Sequence, residues 1–242
     1  MEQKNINGIK IYRFSELDST NKAAMQKEDA AHLDTVVADS QTGGRGRLGR
    51  SFFSPDGGLY VTIVLEPCKI VCGLSMCTAA AAAAVSEALE DEGVFGLQIK
   101  WVNDILLDGR KVCGILTEAR SEGGAISRIA VGIGINLREP ENGFPEDIKD
   151  RAGAVGFCGD KLALAAKIAT RLGSIIKNSA ETVAERYRSR LAFVGETVTV
   201  TDYADGSKKL SAKILGVDEN CFLTVETESG EIRTLSSGEI GS

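Results

Sequence analysis

Gln98-Ile99-Lys100-Trp101-Val102-Asn103-Asp104-Ile105-Leu106-Leu107-Asp108-Gly109-Arg110-Lys111-Val112-Cys113-Gly114-Ile115-Leu116-Thr117-Glu118 is the stretch that decides the fold. Two strand-like runs, Gln98 to Trp101 and Ile105 to Leu107, precede Asp108-Gly109. That dipeptide tolerates the positive φ of a tight hairpin turn. Lys111 to Glu118 reads as the returning strand, and a turn over Ser121 to Gly124 leads into Ile126 to Ile135. Strands joined by turns too short for a crossover helix pair antiparallel. The segment predicts an α+β fold built on a mixed, mostly antiparallel sheet.

The flanks agree with that reading. Upstream, Ile9 to Phe14 alternates as a strand, and Asp18-Ser19-Thr20 offers caps for a helix over Asn21 to Lys27. Thr35 to Ala38 and Leu59 to Leu65 read as strands. Cys72 to Glu92 reads as a helix closed by Gly93, and its Ala79 to Ala84 run permits close approach to a sheet. Downstream, Arg138 to Gly159 is a long polar loop, and loops of that length are usually functional. Leu162 to Leu191 reads as helix interrupted near Asn178. Beyond Phe193, Glu196 to Asp202, Leu210 to Val217, Phe222 to Glu226 and Glu231 to Leu235 predict four short strands of a small barrel. The expected division is a domain over 1–192 and a barrel over 193–242, docked because so short a chain buries little surface alone.

Composition narrows the function classes. The chain has 242 residues, with 34 acidic against 28 basic side chains and a net charge of −6. An acidic chain is a poor nucleic-acid coat. No apolar run reaches the length of a membrane span, and the polar N-terminus does not read as a secretory signal. Cys68, Cys72, Cys77, Cys113, Cys158 and Cys221 are irregularly spaced, so they read as reduced thiols of a cytoplasmic protein. The C-x3-C-x4-C spacing of the first three fits neither zinc nor iron–sulfur runs. With His32 the sole histidine, a His-based metal site or a Ser–His–Asp triad is disfavoured, and no metal ligands are assigned to side chains.

Four segments can carry chemistry. Gly43 to Arg50 packs Arg45, Arg47 and Arg50 among Gly43, Gly44, Gly46 and Gly49. Glycines let backbone amides approach a ligand, and guanidinium forks match carboxylate and phosphate. A solvated loop is the plainer alternative. In the second, Lys100 either reaches solvent along its stem or stands in a pocket as a cation, while Trp101 reads as core. Asn103 and Asp104 either cap a turn or hold a polar ligand or Mg²⁺. Third, alternating Gly132 and Gly134 before Asn136 suit a strand against which something packs closely. Fourth, Ser19-Thr20-Asn21 either caps a helix or bonds a polar head group.

Read together, these segments resemble the biotin–protein ligases: Ser19-Thr20-Asn21, Gln41 with Gly44 to Arg50, Lys100-Trp101-Val102-Asn103-Asp104, and Gly132 to Asn136 occur in the family's order and rough spacing. The likeness runs from about Ile11 to the C-terminus. Val102 stands where the family's lysine motif often has proline, and Phe52 near where some members carry tryptophan.

The resemblance implies a catalytic domain like that of class II aminoacyl-tRNA synthetases, followed by an SH3-like barrel. It implies a two-step reaction with biotin, ATP and Mg²⁺, passing through biotinyl-adenylate to a lysine on the biotin carboxyl carrier domain of a carboxylase. It casts Lys100 and Arg47 as catalytic. It assigns Ser19, Thr20, Asn21, Gln41, Gly44, Arg45, Gly46, Arg47, Lys100 and Gly114 to biotin, and Arg50, Asn103, Asp104, Gly132 and Asn136 to ATP and Mg²⁺. A lipoate-type ligase is the alternative, although the arginine loop and lysine motif favour biotin. A DNA-binding repressor is disfavoured, since 18 residues precede Ser19 and a helix-turn-helix needs more. The expected assembly is a monomer or homodimer without DNA or membrane.

Overall fold

Around Asp108-Gly109 the chain turns with φ of 50° and 75°, and at Gly123-Gly124 it turns with φ of 59° and 83°. These turns separate β6 (Asp104–Leu107), β7 (Arg110–Glu122) and β8 (Ala125–Ile135), which follow β5 (Gln98–Lys100) as an antiparallel meander. The computed structural model describes residues 1–241. Before the meander come β1 (Glu2–Ile6), β2 (Ile9–Leu17), α1 (Thr20–Gln26), β3 (Thr35–Gln41), β4 (Leu59–Leu65) and α2 (Cys77–Glu90). After it come α3 (Lys161–Ile175) and α4 (Ala180–Arg188).

The eight strands form one sheet in the order β1-β2-β3-β4-β8-β7-β6-β5. Only β2 and β3 pair parallel, because α1 carries the chain back between them. The rest is antiparallel, as the turn chemistry predicts. Strand alternation gives the sheet two faces. Ile11, Val37, Val61, Ile63, Ile115, Ile133 and Ile135 join α2, α3 and α4 in the main core. Tyr12, Val36 and Val64 pack with Ala24 of α1 on the other face.

The departures from expectation are local. The β1 strand is an exposed polar edge paired with β2 through an Asn7-Gly8 turn, so it carries no apolar alternation to read. The α2 helix begins at Cys77 rather than Cys72, since Gly73 at φ 95° and a tight turn over Leu74–Met76 precede it. The long helical segment divides into α3 and α4, and Ser179 caps the second by accepting from the Thr182 N–H at 3.3 Å.

The C-terminal strands β9 (Thr197–Asp202), β10 (Lys208–Val217), β11 (Leu223–Thr227), β12 (Ile232–Leu235) and β13 (Gly238–Ile240) form an antiparallel sheet ordered β12-β11-β10-β9-β13. The short β13 is one strand more than the sequence predicts. Val200, Ile214, Leu223, Val225 and Ile240 are continuous with the main core. Trp101, 2% exposed, donates its indole N–H to the Cys221 carbonyl at 2.9 Å, and Tyr187 donates its hydroxyl to the Val102 carbonyl at 3.2 Å. No helix is long and apolar enough to cross a membrane among the described residues.

Candidate active site

Register places the motif residues before any side chain is considered. Lys100, Asp104, Gly114, Gly134 and Tyr60 are successive cross-strand partners, and so are Leu116, Gly132 and Thr62 one step along. Directly opposed residues share a face, so both rows lie on the face that carries α1. Three glycines make this part of the sheet flat. A Cβ on Gly134 would stand 2.5 Å from the Phe52 ring and one on Gly114 3.0 Å from it, while one on Gly132 would collide with the Asn21 amide. Phe52 therefore lies on Gly114 and Gly134, with its edge toward Tyr60 at a centroid distance of 6.4 Å.

At one end of this floor, the start of α1 is woven into the sheet. Asn21 donates to the Glu118 carboxylate at 2.6 Å and the Leu116 carbonyl at 3.2 Å, and accepts from the Thr62 hydroxyl at 2.7 Å. Gln41 accepts from the Thr20 amide at 2.8 Å and donates to Ser54 at 3.1 Å. Ser19 occupies the N-cap position of α1, yet its hydroxyl makes no capping bond. The residue is 4% exposed; its N–H donates to Asp18 at 2.7 Å and its carbonyl accepts from Ala23 at 3.1 Å, while its hydroxyl has no partner among the described residues and is open to a ligand.

At the other end, Lys100 is half-buried, and its ammonium has no ion pair or hydrogen bond among the described residues. Burial pushes its pKa below the ordinary 10.5, against the opposing pull of Asp104. Asp104 instead pairs with Lys111 at 2.7 Å. Asn103 donates to Asp104 and to the Ile115 carbonyl, both at 3.1 Å. The peptide joining Trp101 to Val102, where the family often has proline, is cis.

The arginine loop crosses this end. Its stem closes through the Phe52 N–H to Gly44 carbonyl bond at 2.9 Å, and Leu48 and Gly49 turn it at positive φ. Gly44 has no room for a side chain between the Phe52 carbonyl and the Ser54 hydroxyl. Arg47 donates to Asn103 at 3.3 Å and to the Gly238 carbonyl at 3.0 Å. Arg50 makes a bidentate pair with Glu239 at 2.7 and 2.9 Å. Arg45 is exposed.

The structure thus gathers Lys100, Asn103, Asp104, Gly114 and Arg47 at one end, and Ser19, Thr20, Asn21 and Gln41 at the other. Gly132 lies under Asn21, so it groups with the α1 end rather than with the nucleotide-side residues. The Asn136 side chain donates to the Gly153 carbonyl at 2.8 Å and ties down the 138–159 segment. The sequence reading does not single out Thr62, Glu118, Ser54, Lys111 or Glu239 as site residues, whereas Gly134 belongs to the glycine strand it picks out. Thr62 left a signal, as the lone hydroxyl-bearing aliphatic position of Leu59–Leu65, whereas Glu239 left none.

Comparison with known proteins points the same way. The chain matches the model of the biotin/lipoate A/B protein ligase family over residues 12–136 and that of the biotin protein ligase C-terminal domain over residues 193–240. It is 32% identical over 240 residues to the bifunctional ligase/repressor BirA of Bacillus subtilis, covering 93% of this chain and 71% of that protein. It is 39% identical over 123 residues to the biotin–[acetyl-CoA-carboxylase] ligase of Paracoccus denitrificans, covering 50% and 51%. The biotin protein ligase of Aquifex aeolicus, solved in complex with biotin and ATP, superimposes with a TM-score of 0.81 at 31% identity, covering 96% of this chain and 97% of that one.

Proposed function

The chain belongs to the biotin/lipoate A/B protein ligase family, and from that premise we propose how its residues divide the work. The protein is a ligase that activates biotin with ATP and attaches it to protein through biotinyl-adenylate. In the first step a biotin carboxylate oxygen bonds to the α-phosphorus of ATP while the bond to pyrophosphate breaks. In the second, an acceptor amine attacks the acyl carbon and AMP leaves. We take the acceptor to be a lysine of a carboxylase's carrier domain, and the compartment to be the cytoplasm, in keeping with six free thiols.

The unpaired, half-buried ammonium of Lys100 beside the glycine floor is the observation that carries the assignment. A carboxylate and a phosphate repel, and a cation held out of bulk water offsets that repulsion best where charge develops. Lys100 therefore stands between the biotin carboxylate and the α-phosphate. Arg47, oriented by Asn103, holds the acyl-phosphate, and Arg45 and Gly46 close over it. The free Ser19 hydroxyl, with Thr20, Asn21 and Gln41, receives the ureido head group. Arg50, Asn103, Asp104 and Asn136 form the nucleotide side.

Among the described residues no three His, Cys, Asp or Glu side chains gather into a metal site. Mg²⁺ keeps several waters and binds through one or two carboxylates plus substrate phosphates. Asp104 is the carboxylate that would meet it, and the ion would neutralise phosphate charge.

Pyrophosphate release from ATP, measured with biotin and with lipoate, tests this reading. Biotin-dependent release is expected, reduced about a hundredfold or more in Lys100→Ala. Release driven by lipoate instead, or a Lys100→Ala rate equal to wild type, would overturn it.

A further inference from the structure

The α1 helix presents Ser19, Thr20 and Asn21, yet it has only seven residues, no basic side chain in its last turn and a single backbone cap, Lys27 N–H to Ala23 carbonyl. A helix that short does not persist by itself. Its last carbonyls lack partners within the helix. They are met from the hairpin of β7 and β8, about a hundred residues away in sequence.

Arg128 donates to the Lys27 carbonyl at 2.6 Å, Glu28 at 2.9 Å, and Ala24 and Ala30 at 3.4 Å. Its cross-strand partner Arg120 donates to the Met25 carbonyl at 3.3 Å. Every hydrogen bond of the Arg128 guanidinium ends on a carbonyl, so the fixed charge sits against the negative end of α1. The planar fork suits this task, since its donors point to several acceptors at once.

We infer that Arg128, seconded by Arg120, is a positioning residue that clamps the C-terminal end of α1 and so sets where its N-terminal end meets the head group of the acid substrate. The inference rests on the biotin reading above. Asn21 is already bonded to β7 through Leu116 and Glu118. The helix is thus pinned to one hairpin at both ends, and loosening the distal pin tilts it about the near one. Ser19 and Thr20, next to Asn21 and with Thr20 bonded to Gln41 and Thr62, turn with the helix and lose their alignment with the head group. The clamp acts on binding of the acid, because Lys100, Arg47 and Asp104 lie on other elements.

The test compares Arg128→Ala and Arg128→Lys with wild type in steady-state pyrophosphate release and in amide hydrogen exchange. Arg128→Ala is expected to raise the KM for biotin about tenfold, with kcat and the KM for ATP changed less than about twofold. Exchange at the Ala23, Ala24 and Lys27 amides should quicken by a similar factor, and Arg128→Lys should recover part of both. An unchanged KM for biotin, or a kcat that falls in step with Tm while both KM values hold, overturns the clamp. If wild type shows no biotin-dependent turnover, the functional reading fails on its own. Exchange then still decides the clamp, and unaltered rates at the three amides sink it.

Discussion

Asn21 rests on a position that has no side chain. Gly132 sits between Leu116 and Thr62 in the sheet, and any Cβ there meets the Asn21 amide. Thr62 and Glu118 fix that amide's orientation, with donors toward Leu116 and Glu118 and the acceptor toward Thr62. Gly132→Ala must therefore move α1 or expel the amide from its bonds. Overpacking of this kind costs about 1–3 kcal/mol, which a denaturant melt reads directly. The larger expected effect is on the substrate: the KM for biotin should rise at least about tenfold while kcat stays within about threefold. A variant with wild-type KM would show that the glycine floor is a packing detail.

Elements were legible in proportion to the local chemistry that specifies them. Asp108-Gly109 takes positive φ at both residues, and nothing beyond the dipeptide is needed to predict that turn. The break near Asn178 is likewise written in capping chemistry, through Ser179, whereas Ser19 marks the start of α1 by position without its hydroxyl making a cap. What was not legible depends on contacts far along the chain. The polar β1 is a strand only because β2 offers its edge, and β13 only because β9 does. The site divides the same way. The glycine and arginine runs announce themselves, whereas the Arg47–Gly238 bond and the Arg128 clamp join distant positions. Trp101 joins the two kinds of information. It belongs to the lysine motif, and its indole N–H ends on the carbonyl of Cys221, in the turn between β10 and β11 of the C-terminal sheet. Trp101→Ala removes a buried ring and a buried hydrogen bond, so a loss of about 3–5 kcal/mol is expected. Thermal or denaturant unfolding measures it, and a loss below about 1 kcal/mol would mean that the site rearranges to fill the space.

At the scale of the whole molecule, the C-terminal sheet does more than extend the core. Its last strand reaches the arginine loop twice, through the Gly238 carbonyl to Arg47 and through Glu239 to Arg50. Glu239 is held below the usual carboxylate range, first by its bond from Arg50 and then by Tyr203, and its charge is also felt at Lys100. This makes it an electrostatic hinge between loop and sheet. It is not a stability device, because Arg50 is 62% exposed and such pairs contribute about 0–1 kcal/mol. The two roles separate experimentally. Glu239→Gln keeps the shape and one acceptor oxygen but loses the charge that fixes the guanidinium fork. Its Tm should stay close to that of wild type. A loop less firmly held covers the mixed anhydride less well, so biotinyl-adenylate should escape or hydrolyse several-fold faster when no acceptor protein is present. Added salt should narrow that difference by weakening the wild-type pair. The measurement is a chase of labelled adenylate from enzyme loaded with biotin and ATP. If the Glu239→Gln chase matches wild type at low salt, the C-terminal sheet only buttresses the core, and the arginine loop is governed by its own stem.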